Sequence, residues 1–311
     1  MKGKVKLSRR IKALIAAGVF VAAILLTLLG FYIGYWVVDA KAGNWTPDYP
    51  MLSQSELQAI YEKSELDEDD YRVLFEQTGL TKIGIDRAKA QSFGFGRVLD
   101  IQESYFKKRG VEKFNYAPLV CTDYMDGDPA EFIFLERGDI IISSSTHFSG
   151  FRIGHSAIVT DGDEYEIYQS NQVGISNGYA LAYEMFANRT TFMVLRIKPE
   201  YFSEILEDGN IDYDSYRKNL DRVTEYISTQ FEDVPYDFTT GVFTKKDSMK
   251  ATSCAHLLWY GFKHFDDENG GKFNLDLDSN GRLLVVPKDI SKSKYVELVQ
   301  TFGFDPNKMY P

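Results

Sequence analysis

The chain has 311 residues, 44% of them hydrophobic, and a formal net charge of −10. That length supports one or two domains with a real core, and the apolar and charged fractions are those of a folded protein. So acidic a body argues against a nucleic-acid partner, and two cysteines far apart exclude a disulfide framework. A bridge between Cys121 and Cys254 has no local support.

The charge is unevenly placed. Lys2, Lys4, Lys6, Arg9, Arg10 and Lys12 contribute +6, which leaves −16 for the rest of the chain (−10 − 6). Ala13 to Val38 then holds no charged residue over about 26 positions. At ~1.5 Å per residue this run spans a hydrocarbon core of ~30 Å with some tilt. Tyr32, Tyr35 and Trp36 stand at its far end, where interfacial anchors belong. The positive-inside rule makes residues 1–12 a cytoplasmic basic tail, residues 13–38 a single-pass anchor, and everything after Asp39 extracellular. A cleaved signal peptide is the rival reading, and Ala40-Lys41-Ala42 has the small-x-small form. Signal h-regions run only ~7–15 residues, which favours the retained anchor. The sequons at Asn44 and Asn188 read as chance matches.

Residues 39–125 read as a linker and helical segment. Ala40 to Pro50 is polar and carries two prolines. From Ser53 to about Ala88 the pattern is helical with acidic first turns, and Gly79 is placed to close a helix. Residues 126–311 read as a second, strand-rich domain. "EFIFLERGDIIISSS" has two apolar runs broken by Gly138-Asp139. "GHSAIVTDGDEYEIYQSN" predicts a hairpin with arms Ser156–Thr160 and Glu164–Gln169 around an Asp161-Gly162 turn. "TTFMVLRIKP" predicts another strand, stopped by Pro199. Tyr213 to Phe231 has helical spacing. After the loop "VPYDF", Thr252 or Ser253 is placed to cap a helix with Ala255, Leu258, Trp259 and Phe262 as its apolar stripe.

That cap puts Cys254 in the first turn of a helix, where free N–H groups and the helix dipole favour a thiolate and suit an oxyanion. A nucleophilic thiol needs a base, and the base an orienting group. His155, at the start of a strand after Gly154, is the candidate base and the imidazolium partner of the thiolate. His147 sits in a Ser- and Thr-rich loop with less constraint, His256 points elsewhere on its helix, and His264 complements the dipole at the helix end. In the second hairpin arm Tyr165, Ile167 and Gln169 share the face expected to look inward. Glu164, Glu166 and Tyr168 share the face expected to meet solvent. Gln169 therefore falls beside His155, with Glu166 as the alternative if the register slips by one. Tyr236 and Asp237 are candidates for the wall of a substrate cleft, a packed tyrosine and a turn aspartate being the plainer reading. "DLDSNG", Asp276 to Gly281, begins like a calcium loop, but its twelfth position is Pro287 where a glutamate is needed, so a turn without metal is expected. No zinc or phosphate-loop spacing is found.

Taken together, "RGDIIISSS", "GHSAIV", "YEIYQSN", "VPYDF" and "TSCAHLLWYGF" occur in the order seen in the circularly permuted NlpC/P60 hydrolases of the papain-like superfamily. The chain resembles their YiiX/YebB-like branch, in which the histidine strand precedes the cysteine helix. "GRLLVVPKDISKS", Gly281 to Ser293, is similar to the C-terminal segment of that branch. The resemblance covers Phe132 to about Val296. It implies an α+β fold with an antiparallel sheet packed on the cysteine-bearing helix, and no cofactor. It also implies a cysteine hydrolase with Cys254 as nucleophile, His155 as base and Gln169 as orienting residue. The expected substrate is an amide or ester carbonyl; the extracellular location favours a cell-wall peptide, with an acyl lipid as the alternative because the permuted branch includes enzymes acting on acyl lipids. Two positions depart from the branch. An acid or histidine is usual where Gln169 stands, and a Ser-Glu pair is usual where Ala255 and His256 follow the cysteine. A tethered binding protein on a degenerate hydrolase fold is the alternative they leave open.

Overall fold

A computed structural model of the chain describes residues 8–41, 45–117, 120–171 and 174–305. It divides into two compact units, 1–43 and 44–311. The first is the helix α1 (Arg9–Lys41). Its Arg9–Ile33 stretch, 25 residues with none of its surface buried, is long and apolar enough to cross a membrane. Lys2, Lys4 and Lys6 lie outside the described residues, as does Asn44 of the first sequon.

The second unit opens with four short helices: α2 (Gln54–Tyr61), α3 (Glu68–Thr78), α4 (Lys82–Lys89) and α5 (Gly94–Phe106). Capping boxes at Ser53/Glu56 and Asp67/Asp70 start the first two, and Gly79 closes α3 as its C-cap. Two strands follow, β1 (Val111–Ala117) and β2 (Val120–Met125). The segment 39–125 is therefore not helical to its end.

The remaining strands are β3 (Ile140–Ser143), β4 (Thr146–Phe148), β5 (Phe151–Arg152), β6 (His155–Asp161), β7 (Glu166–Gln169), β8 (Gly178–Leu181), β9 (Phe192–Ile197) and, at the end, β10 (Val296–Phe302). Between β9 and β10 run α6 (Pro199–Phe202), α7 (Tyr213–Gln230), α8 (Cys254–His264) and α9 (Pro287–Ser291). The strands build two antiparallel sheets. One has the order β1-β2-β4-β5, the other β10-β9-β3-β6-β7-β8.

The larger sheet is covered on both faces. Ile141, Ala157, Val159, Ile167 and Val194 point to one side and share a core with Leu57, Leu74, Ile85, Val98 and Ile101 of the early helices. Ile140, Ile142, Ile158, Tyr168, Leu195 and Ile197 alternate to the other side, onto Val223 and Ile227 of α7 and Leu257, Leu258 and Phe262 of α8. The division expected at residue 125 is thus not a boundary between compact units, because the helices before it and the strands after it bury one core. Where α7 meets α8, Gly261 lets the helices close up: a Cβ there would lie 2.2 Å from Ile227 Cγ1.

Three local expectations change. The run Phe132–Leu135 is buried but is not a strand; Ile133 N–H donates to the Gln300 side chain at 2.8 Å instead of joining a ladder. The hairpin turn is wider than two residues, since β6 runs through Asp161 and β7 begins at Glu166, with Tyr165 at φ 55°. The face of β7 assigned to solvent is covered by α7 and α8. Tyr168 is buried there, and Glu166 accepts from the Thr160 hydroxyl at 2.7 Å.

Candidate active site

Ser253 caps α8: its hydroxyl accepts from His256 N–H at 3.3 Å, which leaves Cys254 as the first helical residue. The cap is held by the loop before it. Asp237 N–H donates to Thr252 C=O at 2.7 Å, and Thr252 N–H donates to Pro235 C=O at 2.9 Å. So the "VPYDF" loop is laced to the strand-like entry of the cysteine helix. Ala255, Leu258, Trp259 and Phe262 are buried as the spacing predicts, and Leu257 is buried with them.

His155 is positioned by the glycine before it. Gly154 has φ +84°, and a Cβ there would meet Ser143 O at 2.5 Å. Its N–H donates to Thr146 C=O at 2.9 Å. The chain turns through this point directly into β6, and the imidazole comes to rest in the sheet, stacked on Phe186 with centroids 5.5 Å apart. Gln169 lies on the same side of the neighbouring strand. Its Oε1 is 2.6 Å from His155 Nε2. An amide oxygen only accepts, so Nε2 carries the proton and Nδ1 carries the lone pair.

Cys254 and His155 line one cavity of about 410 Å³, together with Gly154, Asn171, Arg189, Tyr236 and Asp237. Its remaining wall is mostly apolar, including Val120, Phe148, Ile153, Phe238, Leu284 and Pro287. Tyr236 and Asp237 thus stand where a cleft wall was expected. Asp237 also serves its own turn, accepting from Thr239 N–H at 2.8 Å and from the Thr239 hydroxyl at 2.6 Å. The Tyr236 phenol is held protonated, its acidity suppressed first by burial and then by the neighbouring Cys254 and Asp237.

The electrostatics give a neutral pair at rest, not the expected thiolate–imidazolium. Burial pushes the Cys254 thiol above its ordinary value, against the pull of the Ser156 N–H and hydroxyl, the Ala255 N–H and Arg189. The His155 imidazole is lowered to about 3, first by burial and then by Arg189, with the Gln169 bond opposing. Among the described residues no hydrogen bond of standard geometry joins the Cys254 thiol to the imidazole. The sulfur faces Ser156, the next residue along the strand.

Arg189 is the residue that sequence reasoning missed. It is buried on the cavity wall, stacked on Phe186 at 4.9 Å, and donates to the Thr146 hydroxyl at 3.1 Å. Its Nε has no hydrogen-bond partner, and among the described residues no carboxylate pairs with it. Burial lowers it to about 10, and Tyr124 and Cys254 oppose that shift. A buried guanidinium without a counter-ion is costly unless an anion comes to it. It stands inside the sequon at Asn188, read as a chance match, just before the predicted strand, so no local signal marks it.

The other histidines are engaged elsewhere. His256 is bound by Thr252 at 3.0 Å and by Lys246 C=O at 2.7 Å, and is lowered to about 4, chiefly by burial. His264 pairs with Asp247 and Asp267 at 2.5 and 3.0 Å. His147 is not in an open loop; it is buried in β4. In the calcium-like stretch, Asp276 accepts from Trp259 Nε1 at 2.7 Å and Asp278 pairs with Lys246. Cys121 and Cys254 are both thiols. No family model matches the chain, and no curated protein or solved structure matches it.

Proposed function

We propose that the chain is a membrane-anchored cysteine hydrolase that attacks an amide or ester carbonyl through Cys254. The observation that carries this reading is a single cavity walled by a helix-N-terminal cysteine, by a histidine fixed at 2.6 Å by Gln169, and by a buried arginine that no carboxylate among the described residues pairs with. In this mechanism the neutral His155 takes the thiol proton through Nδ1 as Cys254 attacks, which requires the two side chains to close on one another over bound substrate. Gln169 holds the ring and supports the positive charge that forms on it. The proton then passes to the leaving amine or alcohol, and water hydrolyses the acyl-enzyme by the same route in reverse. Arg189, the α8 N-terminus and the Tyr236 hydroxyl are the groups suited to the developing oxyanion.

The apolar lining from Val120, Phe148, Phe238 and Leu284 favours an acyl group over a polar cell-wall peptide as the part held in the cavity. An anchor with its basic end in the cytoplasm would put this domain on the outer side, near a membrane that could supply such a substrate. A tethered binding protein on the same fold is the second reading, and the missing thiol–imidazole hydrogen bond favours it. The deciding experiment is labelling with an acyl chloroacetamide probe, followed by turnover of acyl-ester and muropeptide panels. Stoichiometric labelling at Cys254 with turnover of either panel supports the hydrolase. A folded protein that binds panel members without labelling or turnover establishes the binding protein.

A further inference from the structure

We propose that Cys121, Asp123 and His147 form a zinc site on the outer face of the four-stranded sheet. The inner face of that sheet belongs to the cavity: Val120, Thr122, Thr146 and Phe148 all stand on its wall. Side chains alternate along a strand, so Cys121 and Asp123 of β2 and His147 of β4 project the other way. Cys121 and His147 are direct cross-strand partners in the antiparallel register. One donor atom from each of the three side chains lies within 4.8 Å of the other two.

The donors suit one class of ion. A thiolate, an imidazole and a carboxylate are ligands of Zn²⁺, whereas Mg²⁺ and Ca²⁺ take oxygen alone. Asp123 is 4% exposed, and its Oδ1 has no hydrogen-bond partner. Its other oxygen is held by Arg152 at 3.1 Å, the kind of outer contact that orients a metal-binding carboxylate. Lys113 stands 3.9 Å from Oδ1, so two cations balance the two anionic ligands. Zinc bonds of ~2.0–2.3 Å set tetrahedral donors roughly 3.5 Å apart, so binding draws the three side chains together by about 1 Å. Three protein donors leave a fourth position for water or another ligand. A second Cys-His-Asp nucleophile is the competing chemistry. It is disfavoured because none of the three residues stands on the wall of the cavity, whereas an ion needs no cavity. A bound ion would staple β2 to β4 and so stiffen the wall over Cys254.

The test uses the full chain in detergent with Cys254→Ala, which removes the other thiol and keeps the result independent of the hydrolase reading. Titration with Co²⁺ is expected to saturate with a thiolate-to-cobalt absorption band in the near ultraviolet, reversed by Zn²⁺. Adding Cys121→Ser should abolish the band. Adding His147→Ala or Asp123→Asn should weaken cobalt binding by more than about tenfold. Zn²⁺ should protect Cys121 from maleimide. The absence of a thiolate band in the Cys254→Ala protein overturns the proposal without any further variant. So does a band that survives Cys121→Ser, or a Cys121 that maleimide labels equally fast with and without zinc.

Discussion

The imidazole of His155 is held by one bond, and the consequences of that economy can be measured. Gln169→Leu leaves a buried Nε2–H without a partner, which costs about 1–3 kcal/mol of stability. It also frees the ring, so any hydrolysis should fall by roughly 100-fold or more. Gln169→Glu keeps an acceptor and should retain part of the rate. Glu166→Gln should matter little, because Glu166 binds Thr160 and not His155. Rates for the three variants, each checked for folding, decide the point; a fully active Gln169→Leu protein would remove Gln169 from the site. Arg189 makes a separate prediction that needs no substrate. A buried cation beside Cys254 attracts an anionic reagent, so iodoacetate should gain on iodoacetamide. Arg189→Met should lower that rate ratio by about tenfold, or about 1.4 kcal/mol. An unchanged ratio in a folded variant would mean that the guanidinium does not act on the sulfur.

At the scale of elements, packing against α8 decides where the cysteine sits. Gly261→Ala forces a methyl group against Ile227 and should cost about 1–3 kcal/mol by overpacking, with Ile227→Val recovering part of it, as urea unfolding of the single and double variants can show. The legibility of the elements followed their chemistry. Helix α8 was readable because Ser253 is a good cap and the apolar spacing continues through Phe262. The pairing of His155 with Gln169 was readable because strand alternation fixes which residues share a face. The cover over Tyr168 was not, since nothing in β7 announces the α7–α8 layer on its far side. Phe132 to Leu135 has a strand's composition, yet side chains from far along the chain bind its backbone: Gln300 takes Ile133 N–H and Arg87 donates to Phe134 C=O. The smaller sheet escaped notice because β4 and β5 are short and its outer face carries Cys121, Asp123 and His147 in place of an apolar row.

For the molecule as a whole, two histidines buried in neutral form set an acid limit. Free histidine titrates near 6.5, but His155 and His256 are lowered to about 3 and about 4. The unfolded chain takes up both protons below pH 6.5 while the folded chain refuses them. Their contribution to stability is therefore complete above pH 6.5 and is lost as pH falls toward 4. Each histidine should tilt the urea-unfolding free energy by at most about 1.4 kcal/mol per pH unit in that window. His256→Gln should flatten the slope by roughly one proton's share; an unaltered slope would show that His256 is solvated. The buried Asp139 links the layers: Arg87 of α4 reaches it at 2.6 Å and Arg196 of β9 at 3.4 Å, and Glu136 also pairs with both arginines, so the early helices and the sheet are fastened through two carboxylates.

The last strand closes what the first helices begin. Thr301 N–H donates to Gly79 C=O at 2.8 Å, Thr81 N–H donates to Val299 C=O at 3.0 Å, and the Gln300 amide binds the backbone at both Glu131 and Ile133. Ribosomes deliver β10 only after every element it seals against. Until then the helical layer has no edge to seal against, and the nascent chain must wait with its core open. If the amino-terminal helix holds this protein in the bilayer, nearly the whole body crosses before it can fold, and quality control on the far side meets it unfinished. A stop codon before Val296 would therefore leave the helical layer without the edge it seals against, and its product a substrate for proteases.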